Sequence, residues 1–396
     1  MLAGCSSQSS NLFTPPANSA PSSESGTAND TAGAAGSGAS ANGGAGASGM
    51  GSGGRNGAGS AGGTTGGAGS GSAGDTAGNG GWAPNGPVEL APYFPAWSFG
   101  ARGYAYTSLV NLKQLSELND LTLAFVIATP GAGCMPDLAT DGIGANLADI
   151  RAFQAAGGHL RLSFGGADGV YLQDPNACAD ALQLAAAIGS VIDATGITDL
   201  DFDVEQPFNS GMSDDANQHL GAALHSLQTS KAIQVTLTLQ HTLNGDDSSS
   251  QGLDATALDL IRAVLAAGVK LEYVNVMTMG YGPLVAPMTE AVRAIATLNA
   301  AQKQLKGLMP ALSDQQVWAL LGVTPEIGAN DSTAEIFTAD DATVVGQFAI
   351  DHRMGLASFW SIDRDRTCAG ACGFQKYSTV NAANFQFAKA FAKALK

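Results

Sequence analysis

The chain has 396 residues, 45% of them hydrophobic, and a formal net charge of −16 at pH 7. An acidic surface repels phosphate backbones and anionic lipid headgroups, which argues against nucleic acid as a partner and against electrostatic adsorption to a membrane; a neutral polysaccharide is indifferent to it. No apolar run reaches the ~18 residues of a spanning helix, so the expected contact with a membrane is through lipid alone.

The first residues, Leu2-Ala3-Gly4-Cys5, resemble the lipobox of bacterial lipoproteins, in which the cysteine is acylated. Residues 1–5 are therefore expected to be a lipobox remnant with Cys5 as the lipidation site. The protein is expected to be exported, either anchored by that lipid to the outer membrane or cell surface or secreted. Residues 6–85 are almost entirely Gly, Ser, Ala, Asn and Thr, a composition that cannot bury a core and predicts a disordered linker. The linker holds Glu24, Asp30 and Asp75 against Arg55, leaving a net charge of about −14 on the remaining chain.

From residue 86 to residue 396 the composition changes to apolar runs alternating with helix formers, the length of one α/β barrel domain. Eight strands are predicted, at 90–97, 121–128, 160–164, 198–205, 233–240, 271–279, 317–323 and 356–362. Helices are predicted between them, among them 146–156, stopping at Gly157-Gly158, and 177–194, stopping before Gly196. Eight strands over ~310 residues predict a single-domain (β/α)8 TIM barrel, with a doubly wound open sheet as the alternative. In the fifth strand Gln234, Thr236, Thr238 and Gln240 alternate with Ile233, Val235, Leu237 and Leu239, so the polar set should face the interior and Gln240 should reach the substrate end.

Apart from Cys5, the cysteines are Cys134, Cys178, Cys368 and Cys372. An even number in an exported domain predicts two disulfides, Cys368 with Cys372 closing a small loop and Cys134 with Cys178 by elimination. A Cys-x3-Cys metal site is the alternative, but no nearby histidine completes its ligand set.

The most informative segment is Thr198-Asp199-Leu200-Asp201-Phe202-Asp203-Val204-Glu205. Alternation along a strand puts Asp201, Asp203 and Glu205 on one face and Leu200, Phe202 and Val204 on the other. Parallel barrel strands are normally apolar nearly throughout, so three acids facing inward carry a desolvation cost that points to function. Carboxyls ~6.6 Å apart along a strand cannot all ionise without penalty, so at least one should have a raised pKa. Glu205, outermost at the carboxyl end, is placed to donate a proton to a leaving group. A Ca2+ or Mg2+ site or a buried structural network is the alternative; no metal and no cofactor are expected.

These acids resemble the Asp-x-x-Asp-x-Asp-x-Glu signature of family 18 glycoside hydrolases, the chitinases, with Thr198 in place of the first Asp. Ser163-Phe164-Gly165-Gly166 is similar to the family's Ser-x-Gly-Gly, and Trp360 to the tryptophan that floors the sugar subsite beside the cleaved bond. Residues 274–282 (Val-Asn-Val-Met-Thr-Met-Gly-Tyr-Gly) and 359–365 (Phe-Trp-Ser-Ile-Asp-Arg-Asp) resemble a bacterial and archaeal branch, which usually has Asp where this chain has Gly280. The resemblance runs from about residue 87 to the end.

It implies retaining hydrolysis of β-1,4-linked N-acetylglucosamine assisted by the substrate's own acetamido group, which is why no protein nucleophile is required. Glu205 would be the general acid and base, Asp203 would orient the acetamido group, and Asp201 would share a proton with Asp203. By position Tyr281 would offer its phenol to the acetamido group, although the commoner pattern puts that tyrosine where Met279 stands. Trp97 and Tyr93 would extend the cleft, Gly165 and Gly166 would allow close backbone approach, and Ser163 would hydrogen-bond the acids. Chitin or its oligosaccharides are the expected partners of a monomer. The rival readings are a sugar-binding protein on the same barrel, an endo-β-N-acetylglucosaminidase, and a cation-dependent hydrolase that chelators would inactivate. His241 is expected to be a binding or structural residue.

Overall fold

The computed structural model describes residues 86–100, 104–139, 142–205, 213–242, 252–282, 288–330, 335–368 and 376–396. The lipobox, the linker and Cys372 lie outside these residues.

The strands are β1 (Glu89–Leu90), β2 (Tyr93–Pro95), β3 (Asp120–Ala128), β4 (Pro136–Asp137), β5 (His159–Gly165), β6 (Asp199–Val204), β7 (Gln234–Leu239), β8 (Tyr273–Met277), β9 (Leu321–Thr324), β10 (Gly328–Ala329), β11 (Ile336–Phe337) and β12 (Leu356–Ala357). The helices are α1 (Leu109–Ser116), α2 (Leu147–Ala155), α3 (Ala181–Thr195), α4 (Asp214–Lys231), α5 (Ala255–Ala266), α6 (Glu290–Leu308), α7 (Asp314–Leu320), α8 (Ala339–His352) and α9 (Gln386–Ala394). Neighbours run in the order β1-β12-β9-β8-β7-β6-β5-β3-β2, all pairs parallel.

The two ends of that order are one stretch of chain. The Ala91 amide donates to Ala357 and the Tyr93 amide to Phe359, while the Thr122 amide on the other side donates to Pro92. β1 and β2 together thus act as one strand that closes the sheet into an eight-stranded barrel, with β4 and the β10–β11 hairpin as appendages.

Seven of the nine described α-helices start at a Ser, Thr or Asp whose side chain accepts a first-turn amide: Ser108, Asp180, Ser213, Asp254, Thr289, Ser313 and Thr338. One of these corrects the seventh predicted strand. Ser313 and Gln316 form a capping box that turns Asp314–Leu320 into α7, and the strand begins only at Leu321. α9 has no cap of its own. The Asp365 carboxylate reaches from beyond β12 to accept the Phe387 and Ala388 amides.

Leu200, Phe202 and Val204 face outward under the helices, and the Phe202 ring stacks on Phe164 at 5.2 Å. The inward face of the same strand is acidic.

Candidate active site

Asp199, Asp201 and Asp203 alternate along the inward face of β6, each no more than 5% exposed. The pairing register sets their surroundings: Asp199 lies opposite Arg161 and Gln234, Asp201 opposite Ser163 and Thr236, and Asp203 opposite Gly165 and Thr238. The polar barrel interior is thereby divided into rungs about 6.6 Å apart.

At the amino-terminal rung Asp199 takes Arg161 Nε at 3.0 Å and Nη2 at 2.9 Å. Glu89 lies 3.1 Å from the same guanidinium and Glu272 3.7 Å. Sequence reasoning left out both Asp199 and Arg161. Their parity with Asp201 and Ser163 was the available signal.

The middle rung is Asp201. Ser163 donates to it at 2.6 Å, Thr238 at 2.7 Å and Tyr93 at 2.8 Å, and Thr238 in turn accepts from Asn275. Burial raises the Asp201 pKa above the ordinary carboxylate value, and the three hydroxyls and the charge of Arg161 offset that rise only in part. The Tyr93 hydroxyl, expected near the substrate, is committed to this rung and is buried.

Asp203 differs: its Oδ1 is buried with no hydrogen-bond partner among the described residues. Burial first, then the charges of Glu205 and Asp201, push its pKa well above the ordinary carboxylate value. Glu205 follows β6 at the carboxyl end of the barrel and is half-buried. Its amide donates to the Tyr171 hydroxyl at 2.6 Å, and that hydroxyl donates to the Gly166 carbonyl at 3.0 Å. Gly165 has φ +108, and a Cβ there would sit 2.1 Å from the Asp203 carbonyl oxygen. The Gly166 amide bonds that same oxygen, so β5 approaches the acid strand closely because these two residues are glycines.

Above the acids lies an aromatic floor. Trp360 stacks on Phe125 with centroids 5.7 Å apart, meets Tyr93 edge-on at 5.7 Å and lies 6.0 Å from Trp97, which is 49% exposed. Phe125 was not legible as a site residue, since it reads as one apolar position in an apolar strand. A register shift between Ala124 and Val126 interrupts the alternation at that position.

The segment after β8 corrects one expectation. The Tyr281 hydroxyl bonds Thr297 on α6 at 2.9 Å instead of offering its phenol to the barrel mouth. Its ring stacks on His241 at 4.2 Å, with the Arg293 guanidinium 4.8 Å from its centroid. Arg293 also holds the Tyr281 and Gly282 carbonyls and pairs with Glu290, while Glu335 accepts the Gly282 amide. A buried ionic cluster thus clamps this loop, and Tyr281 belongs to the clamp. His241, expected to be a binding or structural residue, has its Nε2 2.9 Å from the Met279 carbonyl. Met279 and Gln240 are half-buried at the ends of their strands and Gly280 is exposed.

Cys134 and Cys178 form a disulfide joining the loops after β3 and β5. Cys368 is also disulfide-bonded. Among the described residues the grouping able to hold a metal is Glu89, Asp120 and His159, at the amino-terminal mouth and not at the acid end.

No family model matches the chain. It is 31% identical over 271 residues to a probable bifunctional chitinase/lysozyme of Escherichia coli, covering 65% of this chain and 29% of that protein. It is 30% identical over 284 residues to endochitinase 11 of Metarhizium anisopliae, covering 68% of this chain and 52% of that protein. The chain thus spans about a third to a half of the length of these curated relatives. Among solved structures, the catalytic domain of a hyperthermophilic chitinase from Pyrococcus furiosus superposes with a TM-score of 0.66 at 28% identity, covering 79% of this chain and 96% of that one. Catalytic-site mutants of active domain 2 of the Pyrococcus enzyme, solved with chito-oligosaccharides, superpose with a TM-score of 0.65.

Proposed function

We propose that this chain, whose folded domain belongs to the family 18 glycoside hydrolases, cleaves β-1,4 linkages between N-acetylglucosamine units with retention of configuration, using Glu205 as general acid and base. The observation that carries this reading is the contrast between two adjacent rungs: Asp201 is saturated by three hydroxyl donors, whereas buried Asp203 has an oxygen without a partner beside Glu205. An acid left short of donors is available to a ligand that brings one.

The acetamido N–H of the bound sugar supplies that donor. Accepting it orients the acetamido carbonyl toward the anomeric carbon, and the Asp203 charge stabilises the positive charge that develops on the acetamido group. Glu205 protonates the glycosidic oxygen, then removes a proton from the water that opens the cyclic intermediate. Trp360, Phe125 and exposed Trp97 offer apolar faces to the pyranose rings, the surface on which sugar C–H bonds pack. Met279 and Gln240 border the same mouth. No step calls for a metal or cofactor. The domain works as a monomer at the end of the linker, lipid-anchored through Cys5 on the exported side of the membrane, where the cystine joining Cys134 and Cys178 is stable.

The test is the acetyl group. N-acetylglucosamine oligomers should be hydrolysed and fully deacetylated glucosamine oligomers of the same length should not; equal rates on both would overturn substrate assistance. One observation favours a second reading, a sugar-binding protein on the same barrel. With Gly280 bare and Tyr281 turned to α6, the segment after β8 offers the sugar neither a carboxylate nor a phenol. That reading predicts oligomer binding without turnover.

A further inference from the structure

The barrel interior carries a buried charge cluster beneath the acids for which the proposed chemistry has no use. Arg161 is 1% exposed, and one of its guanidinium nitrogens, Nη1, has no hydrogen-bond partner among the described residues. The groups facing it come from every neighbouring strand: Glu89 on β1, Asp120 and His159 at the starts of β3 and β5, Asp199 on β6, and Glu272 and Tyr273 at β8. Arg161 lies two residues before Ser163, the residue that donates to Asp201, so its strand position is one rung, about 6.6 Å, below that carboxyl.

We infer that Arg161 is a positioning residue for the reaction: pinned by Asp199, it is the buried cation that holds Asp201 as an anion, which keeps the working proton on the Asp203 and Glu205 end of the strand. The inference rests on the reading of this site as hydrolytic. Its geometric basis is that both Asp201 oxygens accept hydroxyl protons, from Ser163 on one and Thr238 on the other, with the Tyr93 hydroxyl shared between Asp201 and Thr238, a donor set that favours the carboxylate. A fully buried anion above Asp199, Glu89 and Glu272 needs a compensating charge, and among the described residues Arg161 is the fully buried cation on that side. The direction in which Arg161 moves the Asp201 titration, downward, agrees. Deleting a unit charge ~7 Å away in a medium of effective dielectric ~20 is worth on the order of one pH unit or more.

The experiment is the pH profile of kcat/KM on N-acetylglucosamine oligomers, with the full chain and four variants. Arg161→Met should move the acid limb up by about one unit, because Asp201 becomes harder to ionise. Asp199→Asn, which removes a negative charge and leaves the cation, should move it down. The double variant should return it close to wild type, and Arg161→Lys should leave it in place. A purely structural cluster would lower stability and rate in all of them without moving the limb in opposite directions. If Arg161→Met fails to fold, Asp199→Asn alone decides: an unmoved or raised limb overturns the inference. An inactive wild type would overturn the hydrolytic reading instead, so the two failures are distinguishable.

Discussion

The Tyr171 hydroxyl joins the Glu205 amide, at 2.6 Å, to the Gly166 carbonyl, at 3.0 Å. One side chain from the loop after β5 thereby ties the backbone carrying the proposed acid to the glycine pair beside it. Tyr171→Phe keeps the ring in its buried site and removes this tie. Stability should fall by about 2 kcal/mol, since two buried hydrogen bonds of about 1 kcal/mol each are lost. Because Glu205 loses its register, kcat should fall by about tenfold or more with little change in KM. Steady-state kinetics and a thermal melt check both; an unchanged kcat would mean that Glu205 is positioned by other contacts.

Asp203 is held at an energetic disadvantage. Burial and the charges of Glu205 and Asp201 raise its pKa well above the ordinary value, so its contribution to stability is present at low pH and is lost as pH rises through the folded-state value. Asp203→Asn removes that penalty. The variant should melt higher than wild type at pH 7 by a few degrees, since about 1 kcal/mol corresponds to ~2–4 °C in a domain of this size. It should also lose roughly 100-fold or more in kcat. A variant that is both less stable and equally active would contradict the account.

Much of this was legible in the sequence because acids on alternate positions of a parallel strand have no structural excuse. The same parity rule extends downward to Asp199 and across to Arg161, whose pairing only the strand register reveals. Other features depend on tertiary structure. Val317 to Leu320 are apolar and read as strand, yet the local capping box at Ser313 and Gln316 makes them helix. Tyr281 stands where a substrate contact was expected, and only the approach of α6 with Thr297 and Arg293 shows where its hydroxyl goes. Phe125 joins the aromatic floor through a register shift that no periodicity announces.

Two further buried carboxyls, Glu272 beside Arg161 and Glu290 on α6, make stability itself pH-dependent. Burial pushes Glu272 and Glu290 up to about 7 each, the charges of Asp199 and Glu335 adding to the rise. Their folded forms hold protons more tightly than the unfolded chain does, so this stability is full below about 4.5 and is lost as pH rises through about 7. The melting temperature should therefore be higher at pH 5 than at pH 8, and Glu272→Gln should flatten the difference. Calorimetry across that range checks it; a melting temperature that rises with pH would contradict it.

Two glycines with positive φ should respond differently to alanine. At Gly165 the added carbon would meet the Asp203 carbonyl oxygen at 2.1 Å with φ +108, whereas at Gly280 φ is +72 and nothing lies within 4 Å. Gly165→Ala should cost several kcal/mol, about 3 or more, or prevent folding, because backbone must move. Gly280→Ala should cost about 1–2 kcal/mol, the conformational penalty alone. Chemical denaturation of the two variants measures the contrast; equal costs would contradict the close packing of β5 on β6.

The central claim is that Glu205 protonates the glycosidic bond in a retaining reaction. The most direct test is hydrolysis of N-acetylglucosamine oligomers by the full chain and by Glu205→Gln, with product anomers recorded before mutarotation. Wild type should release β-anomer at the new reducing end, and Glu205→Gln should bind the same oligomers while losing turnover by roughly 1,000-fold or more. Release of α-anomer, or a Glu205→Gln variant as active as wild type, would contradict the account.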